Sequence, residues 1–406
     1  MNTTSIIGGG PSGLAAAISL VLFGGIRADA IRVYEPRTPI RTNVLVLSRL
    51  VVERLRSLGV AVLLSNKNQI ANFETLRVLN EKPGADPTLF KAKMEGHLQV
   101  LDNVGVDSSS LYAPAPMADI LYAQKVGTGI VGVAICDLEK ALRDRALHLG
   151  ICVIDGVVSK LEFDQNRYHL VLDDGSTDKP DLVILAEGNS RRLATHTLKI
   201  PVEACSEQEH YARVHIKSNI GSILNVGFMA VGNELAKFLI TGDPAQPRYT
   251  QSIMQIREPF NLINGRHEEC KTGTEPQYSF HEGSGAILKE VAHEARNAFK
   301  KLELPHEVVF SSMAPRSFVV QDTMLQTTVC ENVVVIGDAA HSGHFLTGVG
   351  TAVGILFDSD ILLKLIKGGS TAEFAESMRS GTKEWFAYDK AAWFSSNEVR
   401  LNKQIE

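Results

Sequence analysis

Residues 3–13 read Thr-Thr-Ser-Ile-Ile-Gly-Gly-Gly-Pro-Ser-Gly, and an alanine-rich segment follows them. The apolar residues before Gly8 predict a strand and the residues after Gly13 predict a helix, which places the glycines in the turn between them. Gly8 permits the tight turn, Gly10 lets the backbone approach a pyrophosphate, and Gly13 lets the helix pack closely on the strand. Because a helix N-terminus attracts anions, this turn predicts a dinucleotide-binding site.

An acidic residue at the end of the next predicted strand supports this prediction. Glu35 lies 22 residues after Gly13 and directly follows the apolar residues 31–34. From this position a carboxylate binds ribose hydroxyls. Glycine triplets also occur in ordinary strand–helix turns, but two strands, a helix and an acid in register favour the dinucleotide site.

Composition and charge restrict the class of protein. The 406-residue chain is 44% hydrophobic and 21% charged, which is typical of a soluble globular protein with two domains or two lobes. A net charge of −5 gives no reason to expect nucleic acid or an anionic membrane as a partner. The longest apolar stretch, residues 14–23, is too short to span a bilayer.

Targeting and cysteine content point to one compartment. The glycine motif lies so close to residue 1 that we expect no cleavable signal peptide before it. The five cysteines are scattered and form no Cys-x-x-Cys pair, so we expect neither a disulfide framework nor a zinc site. A cytoplasmic protein without a bound metal is the simplest expectation.

Hydrophobic periodicity predicts the order of helices and strands. Residues 2–35 predict β-α-β, residues 44–58 and 137–149 predict amphipathic helices, and residues 182–186 predict a buried parallel strand. Shorter strands are predicted over residues 73–79, 97–104, 151–154, 160–163 and 168–172.

The pattern changes to that of an antiparallel sheet with one helix between about residues 200 and 325. The predicted strands cover residues 211–217, 223–231, 237–241 and 249–257, and the predicted helix covers residues 285–302. A buried strand over 332–336 and a helix over 350–366 then return to the first pattern. Residues 371–406 predict a helical tail, whose aromatic side chains serve first as a docking surface and only second as ligand contacts.

Two further motifs follow the N-terminal glycines. Residues 181–191 read Asp-Leu-Val-Ile-Leu-Ala-Glu-Gly-Asn-Ser-Arg; residues 333–341 read Val-Val-Val-Ile-Gly-Asp-Ala-Ala-His, with Thr-Gly-Val-Gly at 347–350. In this order and at these distances, the three motifs resemble the class A flavoprotein monooxygenases, the para-hydroxybenzoate-hydroxylase-like group. The resemblance covers roughly residues 1–60, 130–192 and 325–368.

The resemblance implies a fold and a domain division. The fold class is α/β with an α+β second lobe: a Rossmann-like FAD/NAD(P)-binding domain into which an antiparallel-sheet substrate domain is inserted. The expected FAD-binding domain comprises residues 1–75, 125–195 and 325–370. The expected substrate lobe comprises residues 76–124 and 196–324, and residues 371–406 form a C-terminal helical segment.

The third motif implies contacts to the ribityl chain and the flavin. Asp338 would bind the ribityl hydroxyls of FAD, with a helix-capping aspartate as the alternative. Gly348, Val349 and Gly350 would place a helix N-terminus near the flavin pyrimidine, where it stabilises negative charge. The family's proline before this turn and asparagine after it are replaced here, which changes the details of flavin contact.

The middle motif departs from the family at one position. Relatives usually have Asp-Gly where this chain has Glu187-Gly188, near the FAD pyrophosphate and the NAD(P)H route. The longer Glu187 side chain can keep those hydrogen bonds; a turn after a core strand is the alternative. The change leaves open whether NADPH or NADH reduces the flavin directly or a partner reductase does so.

A basic segment after Glu35 resembles a second group of flavoproteins. Residues 36–47 look like part of the flavin domain of MICAL, the actin-methionine-oxidising monooxygenases. Arg37, Arg41 and Asn43 would then contact the pyrophosphate and the flavin edge. An arginine in the helix over 137–149 often meets FAD phosphate in relatives, which makes Arg143 a candidate. For the arginines, a solvated surface position is the alternative.

The predicted cofactor-binding residues are Gly8, Gly10, Pro11, Ser12, Gly13, Glu35, Arg37, Arg41, Asn43, Arg143, Glu187, Gly188, Gly337, Asp338, Gly348, Val349 and Gly350. No catalytic residue is predicted, since G-x-S-x-G, H-E-x-x-H and P-loop motifs are absent from the sequence. His341 is expected to pack within the flavin loop rather than to carry protons.

These features together imply an FAD-dependent monooxygenase. It would insert one oxygen atom from O2 into a small, aromatic or otherwise electron-rich substrate through a flavin C4a-hydroperoxide. The substrate would lie against the second lobe, where the candidate wall residues are Arg213, Phe228, Met229 and Phe238. The alternatives are an FAD-dependent dehydrogenase or reductase, a halogenase, whose W-x-W-x-I-P signature is missing, and a non-enzymatic flavin-binding protein.

Overall fold

A computed structural model describes residues 3–37, 44–65, 71–72, 76–78, 112–126, 131–217, 228–230, 238–242, 249–256, 309–310, 316–345 and 348–403. The helices are α1 (Pro11–Leu22), α2 (Arg49–Ser57), α3 (Ala61–Ser65), α4 (Met117–Val126), α5 (Ile135–His148), α6 (Val349–Ala352), α7 (Asp358–Ile366) and α8 (Thr371–Lys403). Single 3₁₀ turns cover Ala28–Ala30, Gly188–Ser190 and Gly337–Ala339, and π-helical turns cover Leu193–Thr197 and Val353–Phe357.

The strands are β1 (Thr4–Ile7), β2 (Ile31–Tyr34), β3 (Val44–Leu47), β4 (Ala71–Asn72), β5 (Leu76–Val78), β6 (Val131–Ala134), β7 (Cys152–Ile154), β8 (Val158–Asp164), β9 (Arg167–Leu172), β10 (Thr177–Asp178), β11 (Leu182–Leu185), β12 (Val202–Ala204), β13 (Glu209–Lys217), β14 (Phe228–Ala230), β15 (Phe238–Gly242), β16 (Tyr249–Ile256), β17 (Val309–Phe310), β18 (Arg316–Val320), β19 (Thr323–Leu325), β20 (Val329–Cys330), β21 (Val333–Val335) and β22 (His341–Ser342).

The main sheet has six strands in the order β20-β21-β11-β1-β2-β7. All neighbours run parallel except β20, which is antiparallel to β21. Every residue of β1, β11 and β21 is buried, as expected of a parallel sheet covered on both faces. The predicted parallel strands over 182–186 and 332–336 are confirmed.

Helix α1 connects β1 to β2 and completes the predicted β-α-β unit. Its residues from Gly13 to Leu20 are all buried, which explains why alanine and small residues dominate this helix. Pro11 stands in its first turn, where no intrahelical N–H bond is lost. Because consecutive parallel strands flank the helix, both of their carboxyl ends lie at the same edge of the sheet.

The predicted helix over residues 44–58 is wrong at its beginning. Residues 44–47 form β3, which pairs antiparallel with β6, and the helix begins only at Arg49. The alternation of valine and leucine in β3 suits a strand, and its partner lies more than eighty residues away in the sequence. Gly59 ends this helical segment at φ +73, as predicted.

A second, mainly antiparallel sheet has the order β17-β13-β16-β15-β14-β5, and β18 also pairs with β13. It confirms the predicted strands at 211–217, 237–241 and 249–257 and places β14 within the predicted 223–231 segment. The predicted strand 97–104 and helix 285–302 lie outside the described residues. Three-stranded sheets β10-β9-β8, β12-β19-β22 and β3-β6-β4 complete the architecture.

The C-terminal tail is the long helix α8, as predicted. Phe374, Trp385 and Phe386 are buried and belong to the main hydrophobic core, so these aromatic side chains form a docking surface onto the body of the protein. Trp393 lies on the same helix, but its side chain is outside the described part of the structure. The helix is therefore part of the core of the fold.

A buried ion pair holds α7 against α2. Arg54 donates to both carboxylate oxygens of Asp360 at 2.8 and 3.2 Å, and both side chains are almost fully buried. The backbone N–H of Ala115 donates to the same carboxylate at 2.7 Å, and the Tyr112 hydroxyl donates to it as well. Breaking such a pair leaves an uncompensated buried charge, so Asp360 fixes the packing of three segments.

The sequence-based expectations on membrane-spanning helices and on cysteines can be compared with the described residues. None of their helices is long and apolar enough to cross a membrane. The cysteines within these residues, Cys136, Cys152, Cys205 and Cys330, are free thiols.

We predict that Gly13→Ala destabilises the protein by about 3 kcal/mol, since overpacking a tight contact costs on this order. A Cβ at this position would lie 2.0 Å from the Gly8 carbonyl oxygen. Gly25→Ala is the matched control. No described atom lies within 4 Å of the Cβ that this substitution adds, and the unfavourable feature is the φ of +71°. That control should cost about 1 kcal/mol. Urea denaturation measures both; equal destabilisation would contradict the prediction.

Candidate cofactor-binding site

The three predicted motifs and Glu35 lie at one edge of the main sheet. The strands β21, β11, β1 and β2 are consecutive neighbours, and the loops that follow them carry Asp338, Gly188, the glycine motif and Glu35 respectively. With strands about 4.8 Å apart, these loops form a row roughly 14 Å long. In open parallel sheets, ligands bind at this edge, beyond the carboxyl ends of the strands.

The glycines of the motif are required by direct backbone contacts. Gly8 has φ +110, and a Cβ there would lie 2.2 Å from the Ala186 carbonyl oxygen. A Cβ on Gly9 would lie 2.7 Å from the Glu35 side chain. The loop after β1 therefore contacts the loops after both neighbouring strands, so all three are fixed relative to one another.

The first turn of α1 provides an anion-binding site. Gly10 precedes the helix in an extended conformation, and no side chain of the described residues caps the N-terminal N–H groups. Pro11 has no N–H group, so the free donors of this turn are the backbone N–H groups of Ser12 and Gly13. These donors and the positive end of the helix suit a phosphate group.

Ser12 packs into a cradle of two glycines. A Cβ on Gly337 would lie 2.7 Å from the Ser12 hydroxyl oxygen, and a Cβ on Gly354 would lie 2.0 Å from it. Two of the predicted residues, Ser12 and Gly337, are thus in contact although 325 residues separate them in the sequence. Sequence reasoning missed Gly354, whose signal was a glycine inside an apolar helical pattern.

Glu35 is buried and receives several N–H bonds. Its carboxylate accepts from the backbone N–H of Gly9 at 2.8 Å and from the Nε and Nη2 atoms of Arg37 at 2.8 and 2.7 Å. Burial alone would raise the pKa of Glu35, but the hydrogen bonds from Arg37 and Gly9 outweigh it and lower that pKa. The carboxylate is therefore held ionised at the adenosine end expected of the site.

Asp338 occupies the opposite end of the row. Gly337, at φ +62, turns the chain directly after β21, and Asp338 is exposed between the buried residues Gly337 and Ala339. An exposed carboxylate at the sheet edge is able to accept hydrogen bonds from the hydroxyls of a ligand. The ribityl contact of Asp338 stays a prediction.

Arg191 is a site residue that sequence reasoning missed. It is 4% exposed and has a left-handed backbone with φ +49. Its Nε atom donates to the Asp338 carbonyl oxygen at 3.1 Å, and its Nη1 atom donates to the Thr323 hydroxyl at 2.8 Å. Burial lowers the pKa of this guanidinium, while the charge of Asp338 raises it. Arg191 therefore joins the Gly188 loop to the Asp338 loop.

The Glu187 side chain has a structural partner. Its Oε1 atom accepts hydrogen bonds from the backbone N–H groups of Leu193 and Ala194 at 2.8 and 3.1 Å. It therefore caps the helical turn over Leu193–Thr197. Gly188 has φ +71, and no described residue lies within 4 Å of where a Cβ would stand.

The Gly348–Gly350 turn begins the helical segment that ends at Ile366. Gly348 has φ +66, Val349 is buried, and a Cβ on Gly350 would lie 3.6 Å from Trp385. A π-helical turn interrupts the segment over Val353–Phe357, beside the Ser12 cradle. Such turns inside α-helices often accompany functional sites.

The remaining predicted cofactor-binding residues are Arg143, Arg41 and Asn43. Arg143 is half-buried on α5 and forms no hydrogen bond or ion pair with the described residues, whereas Arg145 donates to the Leu58 carbonyl at 2.9 Å. Arg41 and Asn43 lie outside the described residues, so the MICAL-like contacts stay a prediction. The described residues contain no group of three or more metal-ligating side chains positioned to hold an ion.

We predict that lowering the pH reduces the free energy of unfolding, partly through protonation of Glu35. A carboxylate whose folded pKa is lowered contributes stability above its unfolded pKa of about 4.3, and this contribution is lost as the pH falls. The free energy of unfolding of Glu35→Gln should therefore fall less than that of the wild type between about pH 5 and pH 3. Urea denaturation at each pH measures this, with the exposed Glu53→Gln variant as the control. Equal pH dependence of Glu35→Gln and wild type would contradict this.

We predict that Arg191→Gln raises the Kd for FAD about tenfold, since losing a hydrogen bond from a charged donor costs about 1.5 kcal/mol. Arg192→Gln is the matched control, because among the described residues its exposed side chain donates to the carbonyl oxygens of Val158 and Ser159, outside this edge of the sheet. Titration by flavin fluorescence quenching measures both values. The same Kd in both variants would show that Arg191 does not support the site.

No protein-family model and no curated protein matches this sequence. Solved structures match it over most of its length. The flavin-dependent brominase Bmp2 has a TM-score of 0.66 and 12% identity, covering 100% of this chain and 89% of that one. p-Nitrophenol 4-monooxygenase PnpA from Pseudomonas putida DLL-E4 has a TM-score of 0.61 and 14% identity, covering 98% and 88%.

A flavoprotein/dehydrogenase from Cytophaga hutchinsonii is also similar, with a TM-score of 0.61 and 15% identity, covering 95% of this chain and 84% of that one. At these identities the likeness establishes the fold alone. The three proteins are a halogenating enzyme, a monooxygenase and a flavoprotein/dehydrogenase. The chain has the Rossmann-type α/β fold of FAD-binding flavoproteins, with a parallel sheet and separate antiparallel sheets.

Proposed function

We propose that this protein is an FAD-dependent monooxygenase that inserts one oxygen atom of O2 into a small, aromatic or otherwise electron-rich substrate. The observation that carries this proposal is the row of loops at the carboxyl edge of the main sheet. An uncapped helix N-terminus lies between a buried acid, Glu35, and an exposed acid, Asp338. This donor and acceptor set fits a dinucleotide with hydroxyls at both ends and phosphates in the middle.

Each part of FAD has a candidate partner in this row. Glu35 would accept from the adenosine ribose, and the N–H groups of Ser12 and Gly13 would bind the pyrophosphate. Asp338 would accept from the ribityl hydroxyls, and the turn at Gly348 would lie beside the flavin. When bound, FAD would supply the redox chemistry that activates O2.

The residues of this chain would bind, orient and protect the cofactor. The positive end of the helical segment that begins at Val349 favours negative charge beside it, which suits the pyrimidine edge of a reduced flavin. Arg191 holds the Asp338 loop in place through its carbonyl oxygen. The second sheet would cover the flavin and exclude water, which protects a reactive oxygen species from side reactions.

The domain division remains part of the proposal. Residues 1–75, 125–195 and 325–370 would bind FAD, and residues 76–124 and 196–324 would form the substrate lobe. The strands β13, β14 and β15, which carry the candidate wall residues, belong to one sheet. A substrate would therefore lie between that sheet and the flavin.

The electron donor is NADPH or NADH, used directly or through a partner reductase. Glu187 bears on this choice, because its carboxylate caps a helical turn and accepts two backbone N–H bonds. To contact a nicotinamide nucleotide, this carboxylate would have to share or give up those hydrogen bonds. Direct reduction would then depend on other residues of the loop.

A halogenase is the second candidate, because the brominase Bmp2 shares the fold at a TM-score of 0.66. Such an enzyme would form a product only when bromide or chloride is present. The absence of the W-x-W-x-I-P signature from the sequence favours the monooxygenase. A dehydrogenase would use the same cofactor without coupling oxygen uptake to product.

The test follows NAD(P)H oxidation and oxygen uptake together, using FAD-loaded protein and a panel of small aromatic substrates with and without bromide. A monooxygenase should consume O2 and NAD(P)H in about equal amounts and form a hydroxylated product without halide. Asp338→Asn should weaken FAD binding and lower this activity, whereas Asp119→Asn, an exposed helix position, should not. Halide-dependent product would favour the halogenase, and product without oxygen uptake would favour the dehydrogenase.

A further inference from the structure

The imidazole of His341 lies directly behind the Gly337–Asp338 turn. It is 2% exposed, and its partners come from two separate helices. Its Nε2 atom lies 3.1 Å from the Asp358 Oδ2 atom on α7, and its Nδ1 atom lies 2.6 Å from the Thr382 hydroxyl oxygen on α8. The Trp385 ring contacts it edge-on, with ring centroids 5.5 Å apart.

The hydroxyl of Thr382 decides which proton the Nδ1 atom carries. Thr382 has a single hydroxyl proton, and it donates this proton to the Met378 carbonyl oxygen at 2.7 Å. In the contact with His341 the hydroxyl oxygen must therefore accept. The Nδ1 atom of His341 is consequently an N–H donor.

The other side of the ring requires a second proton. With Nδ1 protonated, a neutral imidazole would direct the Nε2 lone pair at a carboxylate oxygen of Asp358, which is repulsive. The backbone N–H of Gly337 donates to the same Oδ2 atom at 2.7 Å and so favours its negative charge. The other oxygen, Oδ1, is buried without a hydrogen-bond partner among the described residues, so an ionised Asp358 requires an opposite charge beside it, and His341 is the group in that position.

This charged pair controls the backbone of the cofactor loop. Asp358 accepts simultaneously from His341 and from the N–H of Gly337, the glycine that turns the chain at φ +62. The direction of the Asp338 carboxylate depends on that turn, because Asp338 is the next residue. Rotation of Asp358 away from Gly337 would therefore move Asp338.

Helix α8 supports the following residues of the loop as well. A Cβ on Gly343 would lie 2.4 Å from the Trp385 ring, and Asp389 accepts from the backbone N–H of His344 at 3.3 Å. Thr382, Trp385 and Asp389 are all buried. The C-terminal helix thus contacts the loop from His341 to His344 at three successive positions.

We propose that His341 is a doubly protonated, buried imidazolium that pairs with ionised Asp358, and that both are positioning residues for the cofactor. Thr382 sets this state from the C-terminal helix, which makes α8 a supporting element of the cofactor site. The proposal rests on the proposed function only in naming FAD as the ligand. The protonation state of His341 is a property of the protein alone.

The first measurement is nitrogen NMR of protein labelled with ¹⁵N-histidine, with the His341 signals assigned by their loss in His341→Gln. Both ring nitrogens of His341 should carry hydrogen in the wild type. In Asp358→Asn, which keeps the shape of the side chain, the Nε2 atom should lose its hydrogen. A singly protonated ring in the wild type would overturn the proposal, whether or not FAD binds.

The second measurement is the Kd for FAD in variants of α8. Thr382→Val removes the hydroxyl at nearly constant shape and should raise the Kd about tenfold, while Thr382→Ser keeps the hydroxyl and should stay within about twofold of the wild type. Glu384→Gln, exposed on the same helix, is the matched control. Thermal unfolding of the same proteins shows whether each variant is folded. If Thr382→Val is unfolded, the Kd for FAD is measured in Asp358→Asn instead.

The outcomes separate this inference from the proposed function. If the wild type binds no FAD, the proposed function fails, and the NMR result still decides the state of His341. If the wild type binds FAD and Thr382→Val binds it equally well, the positioning role is wrong. If Thr382→Val and Thr382→Ser weaken FAD binding to the same extent, the cause is a general loss of stability and the positioning role of the hydroxyl is wrong.

Discussion

Close backbone contact at the carboxyl edge of the parallel sheet is the constraint on which the rest of the structure depends. In the loop after β1, Gly8 lies against the Ala186 backbone after β11 and Gly9 lies against the Glu35 side chain after β2, and Ser12 fills the space between Gly337 and Gly354. These contacts leave no room for adjustment, since protein interiors are close-packed. The spacing of the binding groups is therefore set by strand pairing, and a ligand meets donors whose positions are already fixed.

A second constraint on the structure is the burial of two acidic side chains, Asp358 and Asp360, on helix α7. Asp358 and Asp360 are both nearly inaccessible, yet residues two apart on a helix point to roughly opposite sides. Buried carboxylates need partners, so α7 must be enclosed by polar groups on two sides. Asp360 meets Arg54 and the segment around Ala115, while Asp358 meets His341 and Gly337. The helix consequently couples the Gly337 turn to α2.

Local motifs predicted which loops lie at this edge of the sheet, because each motif is a short segment at the end of a strand. The ligand contacts of their residues stay predictions. The order of the three motifs predicted the parallel sheet, and the apolar runs at β11 and β21 predicted its buried strands. Residues 44–47 were misassigned because a short apolar run takes its structure from a distant partner, here β6. Arg191 could not be identified, since its burial depends on contacts with Thr323 and Asp338 that lie far away in the sequence. The cap formed by Glu187 was missed for a different reason: an acid near a cofactor motif was interpreted as a ligand contact.

The two acids at the ends of the row differ in a way that affects how a dinucleotide would bind. Glu35 already accepts from Gly9 and from Arg37, and the Arg37 side chain is 58% exposed. A ribose hydroxyl would have to share this carboxylate or displace Arg37 from it, and displacement offsets part of the binding energy because one charged hydrogen bond replaces another. Asp338 is exposed, and its loop is held from behind by Arg191 and Asp358. Under the proposed function, binding of the adenosine ribose would therefore rearrange the Glu35–Arg37 pair, whereas the turn that carries Asp338 is already held by Arg191 and Asp358. That division suits an enzyme whose chemistry takes place at the flavin, where accurate positioning has the larger effect on rate.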